Sequence, residues 1–413
     1  MAAEATLQQP IPLFGPDFFV DPYPLYAWLR EFDPIRWDET VDAWVVTRYA
    51  DVAALLNDPR FIRGNPSDRD AALARRLADE GRPELLHVYR LVDSMMLFSD
   101  PPRHTRLRAL ANRAFTPRVV ETMRPHIQDI VNGLLDDILP LGQFDAILDL
   151  ASPLPVVVIC ELLGLPAEDR ERFKHWSDDI VAFAARLGQG TEQAQKALPS
   201  TIEISDYIHA TVARLREHPD DSLLSALVAA EENGNRLTDE ELLANAVLLL
   251  MNGHETTTYQ IGNGLLALLR HSAQLQSLRD DPLLMSGAVE EMLRYDGAVQ
   301  MRGLRIAEDC AIDGMRLRRN ETALLMIGAA NRDPACFPDP DRFDIFRSGV
   351  RHLDFGHGIH YCIAAALARA EIQIAIGTVL RRIPDLRLET SALDWQTVPV
   401  FRGLTSLPLA FTA

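Results

Sequence analysis

Positive charge is scarce in this chain: its 413 residues hold 41 lysines and arginines against 59 aspartates and glutamates, a formal net charge of −18. Such a field repels nucleic acid and anionic membrane surfaces, so nonspecific binding to either is not expected, although a local basic patch can still recruit an acidic partner. Cysteine is scarcer still. Cys160, Cys310, Cys336 and Cys362 lie far apart with no CxxC pair, which argues against a zinc site and against a disulfide framework. No stretch reaches about 18 uncharged apolar residues, and the N-terminus (MAAEATLQQPIPLFGPDFF) has no basic segment followed by an apolar run. Neither a membrane span nor a secretory signal is expected, and the predicted location is cytoplasmic.

What is present suits a packed protein, with 47% hydrophobic and 24% charged residues. The length exceeds the usual limit of one hydrophobic core, yet there is no internal repeat and no flexible linker. The expected architecture is therefore one domain over residues 1–413, mainly α with a minor β part. A small mixed lobe opens the chain: Ala43 to Tyr49 (AWVVTRY) is β-rich, and a helix-like stretch from Asp51 to Leu56 ends at Asn57-Asp58-Pro59. Helical periodicity dominates from about residue 103 to 295, with breaks expected near Pro117, Pro140, Pro153, Pro166 and Pro199. The longest helix is predicted to start at Thr238, which forms a capping box with Glu241, and to run to His271, a span of about 50 Å. Two β-like pieces follow, Cys310 to Leu317 and Glu321 to Ile327, then a Pro/Asp-rich loop, a glycine-bearing loop and a final helix.

That glycine-bearing loop places Cys362 just before an Ala/Leu-rich helix, in the run Phe355-Gly-His-Gly-Ile-His-Tyr-Cys-Ile-Ala-Ala-Ala-Leu-Ala-Arg-Ala-Glu371. Backbone N–H groups at a helix start favour an ionised sulfur, and glycines let the backbone approach a flat ligand. A single cysteine before a helix is more often a small core residue. The spacing FGxGxHxC followed by LAR, however, resembles the haem-binding signature of the cytochrome P450 family, with Ala364 departing where the family usually has glycine. The resemblance runs through nearly the whole chain. It implies a triangular, mainly helical fold, with haem b held between the long distal helix and the cysteine loop, and Cys362 as the axial iron ligand.

Further motifs fall in the family's order. Asn252-Gly253-His254-Glu255-Thr256-Thr257 resembles the oxygen-activation motif, in which Glu255 and Thr256 would relay protons and Gly253 would leave room for oxygen. Asn252 departs from the small apolar residue usual there; an amide could bond a polar substrate group or an ordered water, or narrow the pocket. Without the cysteine motif, a mid-helix threonine bonding back to a carbonyl and a solvated glutamate would be the simpler account. Glu291 and Arg294, with Arg342, resemble the family's buried structural core. His104 and Arg108, one helical turn apart, would grip the haem propionates together with His360, while Phe355 and Gly356 belong to the cofactor loop. A third propionate contact is assigned to Arg305, with Arg302 open. Arg103, Arg106 and Arg113 recur on another face of the same helix and would form part of a docking patch for an acidic electron donor; solvated arginines are the plainer alternative.

The resemblance implies a substrate pocket drawing on Val92, Met95, Met96, Leu248, Leu249, Asn252, Val299, Met301, Val400 and Phe401, suited to an apolar or amphipathic organic molecule. The implied reaction is insertion of one oxygen atom from dioxygen, with electrons from a separate ferredoxin or flavodoxin-type donor and its reductase. A carrier protein presenting the substrate stays open. The alternatives are haem-thiolate oxidation without net hydroxylation (ring closure, coupling or desaturation) and a noncatalytic haem sensor.

Overall fold

Thr238 starts the longest helix of the computed structural model, which describes residues 12–64, 66–184, 191–232, 234–390 and 392–412. Its hydroxyl accepts the Glu241 N–H at 3.2 Å, while the Glu241 carboxylate accepts the Thr238 N–H at 3.1 Å, the expected capping box. Asp239, Glu240 and Glu241 place negative charge against the positive end of the helix dipole. The helix, Asp239–Arg270, is buried along most of its length because others pack around it: Pro153–Leu162, Arg170–Ala184, Met285–Tyr295 and the C-terminal helix Ala365–Arg382. Among the described residues, no helix is long and apolar enough to cross a membrane.

The proline breaks divide into two kinds. Pro117 and Pro153 lie in the first turn of their helices, where the missing N–H costs nothing. Pro199 does not break the chain as expected; it sits inside the helix Thr191–Glu217, and Pro125 likewise inside Pro117–Ile138. Tertiary packing along both helices outweighs the one backbone bond each proline removes.

The principal sheet joins distant parts of the chain. Its order is Ile35–Asp38, Ala43–Val46, Thr322–Leu325, Arg302–Ile306, Phe61–Ile62, with the second and third strands parallel and the other pairs antiparallel. Pairing of Leu325 with Arg302 and of Ile62 with Arg305 fixes how the arginines of that strand face.

Beside this sheet Glu291 and Arg294 form a fully buried pair at 2.7 Å. The third member is Arg347, whose Nε lies 3.2 Å from Glu291 and whose side chain is 12% exposed. Arg342 does not fill that place. Its side chain is 65% exposed beside Asp344, and it contributes only its carbonyl, which accepts from Arg294 and Arg347 at 3.2 Å each. The loop turns back between the two arginines, so the residue five positions later points inward.

Candidate active site

A cavity of about 450 Å³ lies between the cysteine loop and the middle of the long helix. Gly356 and Gly358 take φ values of +74° and +66°, which turn the loop under this space. A Cβ on Gly358 would stand 2.4 Å from Asn57 Oδ1, so a second constraint holds glycine there. The Cys362 N–H donates to Phe355 O at 2.9 Å. Burial pushes the Cys362 thiol up, while the Ala364 N–H and the Arg302 and Arg108 charges pull the other way. Ala364 caps the following helix at φ −93°, a conformation alanine adopts without strain.

One side of the cavity collects cationic and donor groups. The rings of His104 and His360 lie 4.2 Å apart, and His104, 2% exposed, has both ring nitrogens shut off from solvent and unbonded to any described group. Burial, then Arg63, His104, Arg108 and Arg302, drive His360 down to about 2, so it is neutral. Arg108 and Arg302 are likewise held below the ordinary arginine range by burial. Arg302 lines the cavity with Leu304, two residues along the same strand face; Arg305 points to the other face and does not line it. The assignment of Arg305 to this group is therefore corrected to Arg302. Arg63 was missed by sequence reasoning. Burial and Arg302 lower it to about 9, and it lies here only because Phe61–Ile62 pairs at the sheet edge. Asp100 is taken by the backbone N–H groups of Arg63 and Gly64, at 3.0 and 2.9 Å. Buried cations and orphaned imidazole donors beside a cysteine sulfur fit a planar, carboxylate-bearing metal cofactor, which is what haem is.

On the opposite wall Asn252, Gly253 and Thr256 line the cavity, and the Thr256 hydroxyl donates to the Asn252 carbonyl at 3.5 Å. A Cβ on Gly253 would approach Ile159 to 2.9 Å, so helix packing favours glycine there. Glu255 does not line the cavity. It lies beside His254, Asp178 and Tyr259, with Oε2 shut off from solvent and unpaired, and burial raises it to about 7. His254 Nδ1 bonds to Leu250 O at 2.9 Å, and its Nε2 stands 3.6 Å from Asp178. Thr257, Gln260 and Glu371 also present polar side chains on the cavity wall, and the sequence reading gave none of them a role. Glu371 is 1% exposed beside the Thr257 hydroxyl, and burial holds it well above the usual carboxylate range although Thr257 pulls the other way.

Of the expected substrate residues, Met96, Leu248, Leu249, Val299 and Phe401 line the cavity. Val92, Met95, Met301 and Val400 do not. Val92 and Met95 join the main core, where the Met96 N–H is tied to Asn245 at 2.9 Å, and Met301 and Val400 turn into the cluster around Leu25 and Tyr26. Arg103 reaches Glu241 at 3.5 Å and Arg106 forms a closer ion pair with the same carboxylate, so both brace the start of the long helix.

Known proteins resemble this chain in sequence and in fold. The sequence model of the cytochrome P450 family matches residues 57–282 and 273–384. The chain is 45% identical over 404 residues to the cytochrome P450 monooxygenase PikC of Streptomyces venezuelae, covering 96% of this chain and 92% of that protein. Among solved structures, CalO2 superposes with a TM-score of 0.88 at 36% identity, covering 98% and 99% of the two chains. P450BioI, solved in complex with an acyl carrier protein bearing hexadec-9Z-enoic acid, gives 0.86 at 37% identity over 96% and 99%. With a cysteine loop and a long helix enclosing a cavity built for haem, and with these likenesses over nearly its whole length, the chain belongs to the cytochrome P450 family of oxidoreductases.

Proposed function

We propose that this chain is a single-domain monooxygenase that carries haem b on the Cys362 thiolate and inserts one atom of dioxygen into a small or medium-sized organic substrate of bacterial secondary metabolism. Electrons come singly from a separate ferredoxin- or flavodoxin-type donor with its reductase. The observation that carries this reading is the cavity itself, with Cys362 and the cationic group on one side and the Asn252–Thr256 turn on the other. Bound haem supplies the activation of dioxygen, and a thiolate ligand favours cleavage of the O–O bond.

The chain's own residues do the rest. His104, Arg108, Arg302, His360 and Arg63 would hold the two haem carboxylates on their side of the cavity. Thr256 presents a hydroxyl to the cavity, and Glu255, one residue away with an affinity for protons near neutral pH, can take up and release the protons the reaction consumes. Leu248, Leu249, Val299 and Phe401 exclude water and select an apolar or amphipathic molecule.

The test is the carbon monoxide difference spectrum of the dithionite-reduced protein, followed by turnover under labelled dioxygen. A strongly red-shifted Soret band and one labelled atom in the product are expected. Absence of that band in folded, haem-replete protein overturns the thiolate assignment. A labelled-oxygen turnover whose product carries no label replaces hydroxylation with ring closure, coupling or desaturation.

A further inference from the structure

We infer that Asn252 determines specificity in this cavity, its side-chain amide anchoring a hydroxyl or carbonyl oxygen of the substrate. The inference rests on the proposed function, because it assigns the cavity to a substrate.

Three observations converge on this residue. Asn252 lies on the long helix one turn before Thr256 and one turn after Leu248, so its side chain shares the helix face that lines the cavity. Its backbone carbonyl is occupied by the Thr256 hydroxyl, but its amide group has no hydrogen bond to any described residue. Leu248 and Leu249, one turn earlier on the same face, offer neither donor nor acceptor side chains, and the Thr256 hydroxyl, one turn later, donates to the Asn252 backbone. The amide is thus two donors and one acceptor that face the cavity without a partner among the described residues.

An amide in that position discriminates through desolvation. A hydrocarbon pressed against it displaces water and leaves the amide unpaired, whereas a ligand carrying an oxygen at that point restores the bond. The asparagine also serves no bond within the fold that an apolar residue of the same size would break, so its chemistry is directed at what enters the cavity.

The experiment compares matched probes that differ only in one oxygen: 4-phenylcyclohexanone, 4-phenylcyclohexanol and phenylcyclohexane. Dissociation constants are measured by calorimetry and by the haem absorption change, on the wild-type holoprotein and on Asn252→Leu and Asn252→Ala. The ratio of the hydrocarbon's dissociation constant to that of the ketone or alcohol is expected to fall about ten- to hundredfold in Asn252→Leu, and similarly in Asn252→Ala. An unchanged ratio in Asn252→Leu overturns the inference. So does a variant series in which all three probes weaken or tighten together, which is the signature of a residue that only narrows the space. Failure of the proposed function is read separately: it removes the thiolate spectrum from wild type and variants alike, while the calorimetric ratio is still measured on the protein.

Discussion

Arg302 and Arg305 are three residues apart on one strand and differ in which face they occupy, and that difference decides their roles. Arg302→Ala is expected to speed haem loss to an apoprotein acceptor by about tenfold, the scale of one lost charge-assisted bond, and Arg305→Ala to leave it within twofold. Thr256→Ala is expected to keep reduction intact but divert electrons into hydrogen peroxide, measured as product formed per electron consumed; unchanged coupling removes Thr256 from the relay. Glu255 makes a prediction with a sign. Burial raises it from 4.5 to about 7, so in that window the folded chain keeps a proton the unfolded chain releases. Its contribution to stability therefore declines as pH rises from about 4.5 to about 7 and is level above it. Urea unfolding of Glu255→Gln across this range should show a shallower decline than wild type.

At the scale of elements, the Glu291–Arg294–Arg347 cluster ties the helix Met285–Tyr295 to the loop that follows the sheet. Arg347→Ala leaves Glu291 short of a partner in a site closed to water and is expected to cost about 3 kcal/mol in denaturant unfolding, whereas Arg342→Ala should stay within about 0.5 kcal/mol. The reverse order would restore Arg342 to the core. The capping box at Thr238 was legible because it depends only on residues three apart, and the helix it starts runs from Asp239 to Arg270 as the pattern required. The partner of Arg103 and Arg106 was not legible, for the opposite reason. Spacing puts them on one face of their helix, but only packing brings Glu241 of another helix against that face.

For the whole molecule, the cavity separates two parts of the fold and its contents bear on the stability of both. Burial holds Arg63, Arg108 and Arg302 below the ordinary arginine range around the same space, and the haem carboxylates would add negative charge there. Haem should therefore raise the thermal midpoint, and removing it should lower the midpoint by several degrees, read by calorimetry of holo and apo protein at equal concentration. The fold class and the order of motifs could be read from the chain, since a thiolate loop, a helix period and a cap are each written in a few neighbouring residues. Cys362, His104 with Arg108, and Asn252 with Thr256 were recognisable for that reason, and all line one cavity. Arg63, Arg302, Arg347 and Glu371 were decided by tertiary structure. Their surroundings are set by strand register and helix packing between segments up to hundreds of residues apart, which leave no periodic mark on the sequence. Sequence by itself determined which chemistry the chain can hold; which arginine meets the cavity, and which glutamate lies buried in its wall, followed from the packing that brings distant segments together.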